Sequence, residues 1–184
     1  MTKQHLRIAL LLPVLAIFCS LAGRAQALTT EDIKAQMVKD WERAKSYTVD
    51  YLNTMPADKY GFKAVDSIRS FAQQMLHLAT GQTFIMAGVS SEKPPFMRGD
   101  LEKSPGAQSK DSVMYFVTAS YDFCILAVKN SDVKTWGENK KVFGREATRY
   151  GFMAKAFEHQ THHRGQCTIY IRLLGIVPPN ERLF

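Results

Sequence analysis

The feature that most constrains this fold is a set of four long segments whose apolar residues recur at three- and four-residue steps. That period puts the apolar residues on one face, so each segment is predicted to be an amphipathic helix. The first begins at the capping pattern "TTED", residues 29–32, and continues to about Leu52. The other three are predicted over approximately 67–88, 110–130 and 146–174. Four such helices with long connections predict an all-α, up-down-type four-helix bundle, and the loop 131–144 has room for a short strand pair.

The N-terminus is typical of a secretory signal peptide. The basic start "MTKQHLR" precedes the apolar run "IALLLPVLAIFCSLA". This run is shorter than a typical membrane-spanning helix and contains a proline. Ala25 and Ala27 supply the small residues of a cleavage site. We therefore predict cleavage after Ala27, export to the periplasm, and a mature domain of residues 28–184 without a stable membrane anchor. An uncleaved anchor is the alternative. A lipoprotein is disfavoured because Phe18 precedes Cys19, where a small residue is needed.

The charge of the predicted mature chain argues against nucleic acid as a partner. The whole sequence has a formal charge of +7, from 24 basic and 17 acidic residues. Removing Lys3, Arg7 and Arg24 with the leader leaves 21 basic residues against 17 acidic ones, a net charge of +4. The densest remaining basic run, "NKK" at 139–141, is typical of a solvated loop, and export separates the chain from nucleic acid.

Two cysteines, Cys124 and Cys167, remain in the mature chain. A disulfide can form in an oxidising compartment outside the cytoplasm. Both cysteines lie in helical patterns, however, and a bond between helices requires a narrow range of Cα distances. The sequence leaves open whether they are bonded.

The densest group of candidate functional residues is "EHQTHHRGQC", residues 158–167, within the fourth predicted helix. At about 100° per residue, His159 and His163 lie one turn apart in the middle of the apolar stripe, whereas His162 and Glu158 are each rotated about 100° away. Two inward-facing imidazoles need polar partners. The spacing H-x-x-x-H suits two ligands of one metal ion, and histidines satisfied within a core are the alternative.

The only other histidine outside the predicted leader is His77, on the second predicted helix. It lies opposite the main apolar stripe of that helix, on a face that includes Gly81. Small residues there are compatible with a pocket or with an exposed surface, and periodicity does not decide between them. Cys167, one turn after His163, is a candidate fourth ligand, although a small buried apolar residue is the more common role. Core packing is likewise the expected role of Tyr121 and Tyr170, with pocket lining as the alternative.

Two stretches taken together resemble a known superfamily. "SFAQQMLHLATGQTF", followed about 80 residues later by "EHQTHHRGQCTIYIRLLGIVPP", is similar to the DinB/YfiT-like metal-binding four-helix bundles. The shared features are a lone histidine in helix two, the pattern H-x-x-H-H-R-G-Q and the ending "LLGIVPP". The resemblance implies the metal ligands His77, His159 and His163, with His162 outside the ligand set. It also implies that Arg164 and Gln166 bridge helices or orient ligands, although a surface salt bridge is equally compatible with Arg164.

Three imidazoles leave positions on an ion open, which is typical of catalytic rather than structural metal sites. The resemblance implies a metal-dependent enzyme that activates a low-molecular-weight thiol or water towards a small-molecule substrate. Zinc or nickel is favoured, and iron and manganese are compatible. The alternatives are a non-catalytic metal or small-molecule binder and a bundle in which the ion is structural. Export disfavours the thiol reaction because small thiols are scarcer outside the cytoplasm. No catalytic residue beyond the ligands is identified, and a homodimer is left open.

We expect the mature protein to begin at Leu28, because Ala25 and Ala27 fit the cleavage site. Intact-mass measurement of the protein from fractionated cells tests this, and the soluble periplasmic fraction should contain the mass of residues 28–184. A membrane-associated protein that retains residues 1–27 would contradict the prediction.

Overall fold

The computed structural model describes residues 27–96 and 99–184, and the predicted signal peptide therefore lies almost entirely outside it. Four α-helices make up most of the described chain: α1 Thr30–Thr54, α2 Phe71–Ala87, α3 Lys110–Lys129 and α4 Arg149–Leu173. A two-stranded antiparallel hairpin, β1 Asn139–Val142 and β2 Arg145–Thr148, precedes α4. Short 3-10 turns interrupt the connections at Ala57–Lys59, Pro105–Ala107 and Val133–Thr135. The predicted all-α four-helix bundle is confirmed.

Capping side chains determine where the first two helices begin. Thr29 and Asp32 form the predicted capping box at α1. Helix α2 begins later than the predicted residue 67, because Ser70 and Gln73 form a capping box at its start. Ser70 Oγ accepts from the Gln73 backbone N–H, and Gln73 Oε1 accepts from the Ser70 backbone N–H. Ile68, which lies within the predicted range of this helix, precedes its observed start and is 37% exposed.

The fourth helix also begins later than predicted. Residues 145–148 pair with β1, and Thr148 then caps α4, so the helix begins at Arg149 instead of Glu146. The strand pair that the sequence allowed is therefore present. Its turn contains two residues with positive φ, Phe143 at 55° and Gly144 at 75°. Gly88, directly after α2, lets the hairpin approach, since a Cβ there would lie 2.6 Å from Val142 Cγ1.

Contacts between helices give their directions. Lys45 pairs with Asp122 and Glu42 with Lys129, so α1 and α3 are antiparallel. Hydrogen bonds from Arg164 to Thr48 and between Thr168 and Tyr51 make α1 and α4 parallel. Helix α2 is antiparallel to α4, because Gln74 lies beside His163 and Gly81 beside His159. The order is therefore up-down-down-up, and the long connection 88–109 returns along the bundle because α2 and α3 are parallel.

One continuous apolar core joins the four helices. Trp41 of α1 is fully buried and makes edge-to-face contacts with Tyr121 of α3 and Phe157 of α4. Cys124 and Cys167 are buried in this core as free thiols. Within the described chain, α3 alone is long and apolar enough to cross a membrane. Its buried residues pack into the bundle core, which is sufficient reason for that composition.

Candidate metal centre

Three histidines from two helices meet at one point of the α2–α4 interface. His77 lies on α2, and His159 and His163 lie on α4. Their candidate ligand atoms are all within 4.8 Å of one another. The ring centroids are 5.3 Å apart for His77 and His159, 4.6 Å for His77 and His163, and 4.4 Å for the two histidines of α4. The predicted inward direction of the α4 pair is thus confirmed, and His77 faces this pair.

Gly81 makes room for the His159 ring. An ideal Cβ on Gly81 would lie only 2.1 Å from His159 Cε1 and 2.5 Å from Nε2. The imidazole therefore rests directly against the backbone of α2, one turn after His77. This contact explains the small residue on the His77 face, which the sequence alone left undecided.

Both histidines of α4 are kept neutral. Burial lowers the pKa of His159 to about 4, and the neighbouring His77 and His162 add to the effect. Burial likewise lowers the pKa of His163 to about 3, with further lowering by His159, His77 and His162. Both rings therefore keep an unprotonated nitrogen at neutral pH, which is the form that binds a metal ion.

Glu102 orients His77 from the connection between α2 and α3. Its Oε1 accepts from His77 Nδ1 at 2.6 Å, and its Oε2 accepts from Arg69 Nε at 2.5 Å. Burial opposes ionisation of Glu102, but the hydrogen bonds from Arg69 and His77 outweigh it and lower its pKa below the usual value. A carboxylate on Nδ1 leaves His77 Nε2 with its lone pair available, as in many metal sites. Glu102 was not predicted as a site residue, because it lies in a connection without periodicity.

Two glutamines form a second set of partners for the triad. Gln74 of α2 is buried, and its Nε2 lies 2.9 Å from His163 Nδ1. The same amide contacts the Gln166 side chain, which reaches His162 Nε2 at 2.8 Å. The predicted orienting role of Gln166 therefore passes through Gln74, which sequence analysis missed. Its position three residues before His77, on the same side of α2, was the available signal.

The remaining residues of the "EHQTHHRGQC" segment lie outside the triad. His162 is exposed, and Glu158 is exposed and paired with Lys155, as their helical positions predicted. Cys167 is fully buried and is not part of the histidine cluster. Burial raises the pKa of its thiol far above the usual value, which disfavours the thiolate that binds metals.

Arg164 bridges helices inside the bundle. It is 5% exposed, and its Nη1 donates to Gln160 Oε1 at 2.7 Å, while its guanidinium lies 4.7 Å from the centre of the Tyr47 ring. Tyr121 donates to the same Gln160 oxygen. No salt bridge of Arg164 is present in the described part of the chain, so the surface ion pair that the sequence also allowed is wrong.

Two cavities flank the histidines along α2. A polar cleft of about 890 Å³ lies towards the start of the helix. It is lined by Glu102 and Gln74, which contact His77 and His163, and by their own partners Arg69 and Gln166. Lys63 and Lys103 also line it, and so does Tyr170, whose hydroxyl donates to Arg69 O. An apolar pocket of about 260 Å³ begins at Thr80, one turn after His77, and is bounded by Phe84, Phe96 and Phe143. Tyr121, by contrast, is a core residue.

The sequence profile of the DinB family matches residues 26–182, which is most of the chain. This protein belongs to the DinB family. A DinB-like protein of Bacillus cereus ATCC 10987 aligns with a TM-score of 0.68 and 18% identity, over 79% of this chain and 95% of its own. A DinB-like protein of Bacillus subtilis, YjoA, aligns with a TM-score of 0.60 and 18% identity, over 81% of this chain and 96% of its own. No curated protein matches this sequence.

The residues of this DinB protein fit a metal ion. Glu102 and Gln74 contact the Nδ1 atoms of His77 and His163, so Nε2 is the nitrogen through which each of these rings would bind an ion. His159 Nδ1 is buried without a hydrogen-bond partner in the described chain, so the protein itself does not satisfy this ring. Three imidazoles are a donor set that zinc, nickel, iron and manganese all accept. The triad could therefore hold one divalent ion.

We expect Gly81→Ala to disrupt the site and to lower stability. Alanine normally stabilises a helix interior by about 1 kcal/mol relative to glycine. At Gly81, the added Cβ would overlap the His159 ring, and overpacking costs about 1–3 kcal/mol. Thermal unfolding followed by circular dichroism measures the change. Gly165→Ala on α4 is the matched control, because nothing lies within 4 Å of its Cβ position. Equal increases in Tm for the two variants would contradict the packing of His159 on Gly81.

Proposed function

We propose that this DinB protein binds one divalent transition-metal ion through His77, His159 and His163 and acts as a metal-dependent enzyme on a small molecule. The observation that carries the proposal is the arrangement of three imidazoles beside two cavities. In the described chain, no cysteine or carboxylate completes the group. An ion held there keeps open positions, which is typical of catalytic sites. We further propose that the protein acts in the periplasm after removal of residues 1–27.

The bound ion would act as a Lewis acid that lowers the pKa of a thiol or a water molecule to make it nucleophilic. The residues of the chain have the remaining roles. Glu102 holds the proton on His77 Nδ1 and, through its bond to Arg69, stays ionised. Burial of His163 and packing of His159 against Gly81 keep solvent from one side of the triad. Zinc and nickel are the ions that we favour.

The cavities support a substrate with both a polar and an apolar part. The cleft is lined by three cations, Lys63, Arg69 and Lys103, and by three carboxylates, Asp66, Asp100 and Glu102. Arg69 pairs with Glu102 and Lys103 with Asp100, so the lining offers both donors and acceptors to a polar group. On the other side of the triad, the aromatic wall of the smaller pocket suits an apolar group. The site suits activation of either a thiol or water towards such a substrate. Export disfavours the thiol, because small thiols are scarcer outside the cytoplasm, so transfer to a thiol and hydrolysis by activated water both stand as candidate reactions.

A purely structural ion is the less favoured alternative. The apolar core extends through all four helices. It includes Trp41 and the aromatic rings that Trp41 contacts, and none of these residues belongs to the triad. A bundle with such a core does not depend on metal for its folding, unlike small metal-dependent domains. We therefore assign the ion to ligand binding and chemistry.

Substitution of the triad tests the metal site. His159→Ala and His163→Ala should each abolish stoichiometric metal, and His77→Ala should weaken it strongly, because each removes one of three ligands. Metal content is measured by inductively coupled plasma mass spectrometry on protein purified without an affinity tag, which also identifies the ion. His162→Ala is the matched control, since this exposed histidine lies outside the cluster and should leave the content near that of the wild type. Equal metal in all four variants would remove the proposal.

Cobalt substitution tests whether thiols reach the ion. A small thiol that enters the coordination sphere changes the visible absorption spectrum of cobalt, so glutathione or cysteine should produce a saturable change. The same titration of His163→Ala protein serves as the control. If a panel of thiols leaves the spectrum unchanged, the transfer reaction is excluded and activation of water is the surviving proposal.

A further inference from the structure

The hydrogen-bond chain behind His163 can run in two directions. It joins His163, Gln74, Gln166 and His162 in that order, and the side-chain amide of each glutamine contacts both of its neighbours. Each glutamine offers an oxygen that accepts and a nitrogen that donates. Turning both amides by 180° therefore reverses every hydrogen bond while every contact is kept.

The direction decides which nitrogen of His163 carries its proton. With Gln74 Nε2 towards the ring, as at 2.9 Å, Gln74 donates to His163 Nδ1, and the proton of the neutral ring lies on Nε2. That nitrogen then has no lone pair for a metal ion. With Gln74 Oε1 towards the ring, His163 Nδ1 donates, and Nε2 is free to bind.

We propose that Gln74 and Gln166 are positioning residues that select the metal-binding tautomer of His163. This inference rests on the proposed metal site. In the metal-binding direction, His163 Nδ1–H and a Gln166 N–H both donate to Gln74 Oε1, and Gln166 Oε1 accepts from His162 Nε2–H. We call this hydrogen-bond chain, from His163 through Gln74 and Gln166 to His162, the relay. His162 is its exposed end, which gives this non-ligand histidine a function.

The surroundings make the relay specific. Gln74 is 2% exposed, so an unpaired amide there would be costly. Gln166 is exposed and projects from the same helix as His163, one turn from His162. His77 has an independent partner in Glu102, so the relay acts on His163 alone.

The same substitution at the two glutamines distinguishes the relay from simple electrostatics. Glutamate accepts at both oxygens, so Gln74→Glu would accept from His163 Nδ1–H and from Gln166, which favours the metal-binding tautomer. Gln166→Glu would instead require Gln74 to donate towards it, and the same Gln74 nitrogen would then hold His163 in the other tautomer. An added negative charge near a cation would by itself tighten binding in both variants.

We expect zinc affinity to rise several-fold in Gln74→Glu and to fall by about 10- to 100-fold in Gln166→Glu, the range typical of residues behind metal ligands. Competition with a chromophoric chelator measures the affinity. Gln166→Met is the comparison variant, because it removes the contact without imposing the wrong direction, and it should weaken zinc binding less than Gln166→Glu does. Tighter binding in both glutamate variants, or equal weakening in Gln166→Glu and Gln166→Met, would overturn the relay.

Nitrogen-15 NMR of the imidazoles separates failure of the relay from failure of the metal site. In metal-free protein, His163 should carry its proton on Nδ1 in Gln74→Glu and on Nε2 in Gln166→Glu. If the wild type binds no zinc, the proposed function fails while this readout still tests the relay. If Gln74→Glu does not fold, the two variants of the exposed Gln166 are sufficient. Identical tautomers in the folded variants would overturn the inference.

Discussion

Where α2 passes α4, the absence of a side chain at Gly81 lets the His159 imidazole rest on the helix backbone, and the candidate site depends on this approach. His77 is one turn earlier on α2, so the same contact that seats His159 brings His77 opposite His163. The burial that results keeps both α4 rings neutral. Close helix packing and ligand chemistry thus have a single cause.

The topology of the bundle supplies a hydrogen-bond partner for His77 that α2 and α4 themselves do not supply. Parallel α2 and α3 require the chain to return along the bundle, and the described residues of this connection, 88–96 and 99–109, include the partner of His77. Glu102 lies on this return segment and reaches both His77 and Arg69. A connection with the shorter path of an antiparallel pair would not need to pass the histidines. The carboxylate partner of His77 is therefore a consequence of helix direction.

Sequence patterns predicted the parts that depend on helical phase. The facing of His159 and His163, the exposure of His162 and Glu158, and the cap at Thr29 all follow from local spacing. His77 was assigned to the site only by family resemblance, because its face could not be classified from periodicity. Glu102 was missed because long-range folding of a connection places it. Arg164 was ambiguous for a similar reason, since its buried partners Gln160 and Tyr47 meet it only in the packed bundle. Helix α2 begins later than predicted because of the cap at Ser70, and α4 begins later because residues 145–148 form a strand. The spacing of apolar residues does not reveal either effect.

The separation of the site residues along the chain determines when in folding the candidate metal centre forms. Gln74 and His163 are 89 positions apart, and the ligands come from the second and fourth helices. Closing so long a loop costs conformational entropy that only the docking of α4 returns. A chain that lacks its last helix has one of the three histidines and no site. Metal capture at the proposed site would therefore be an event of the completed bundle, and a bound ion would mark molecules in which the C-terminal helix has reached its native register.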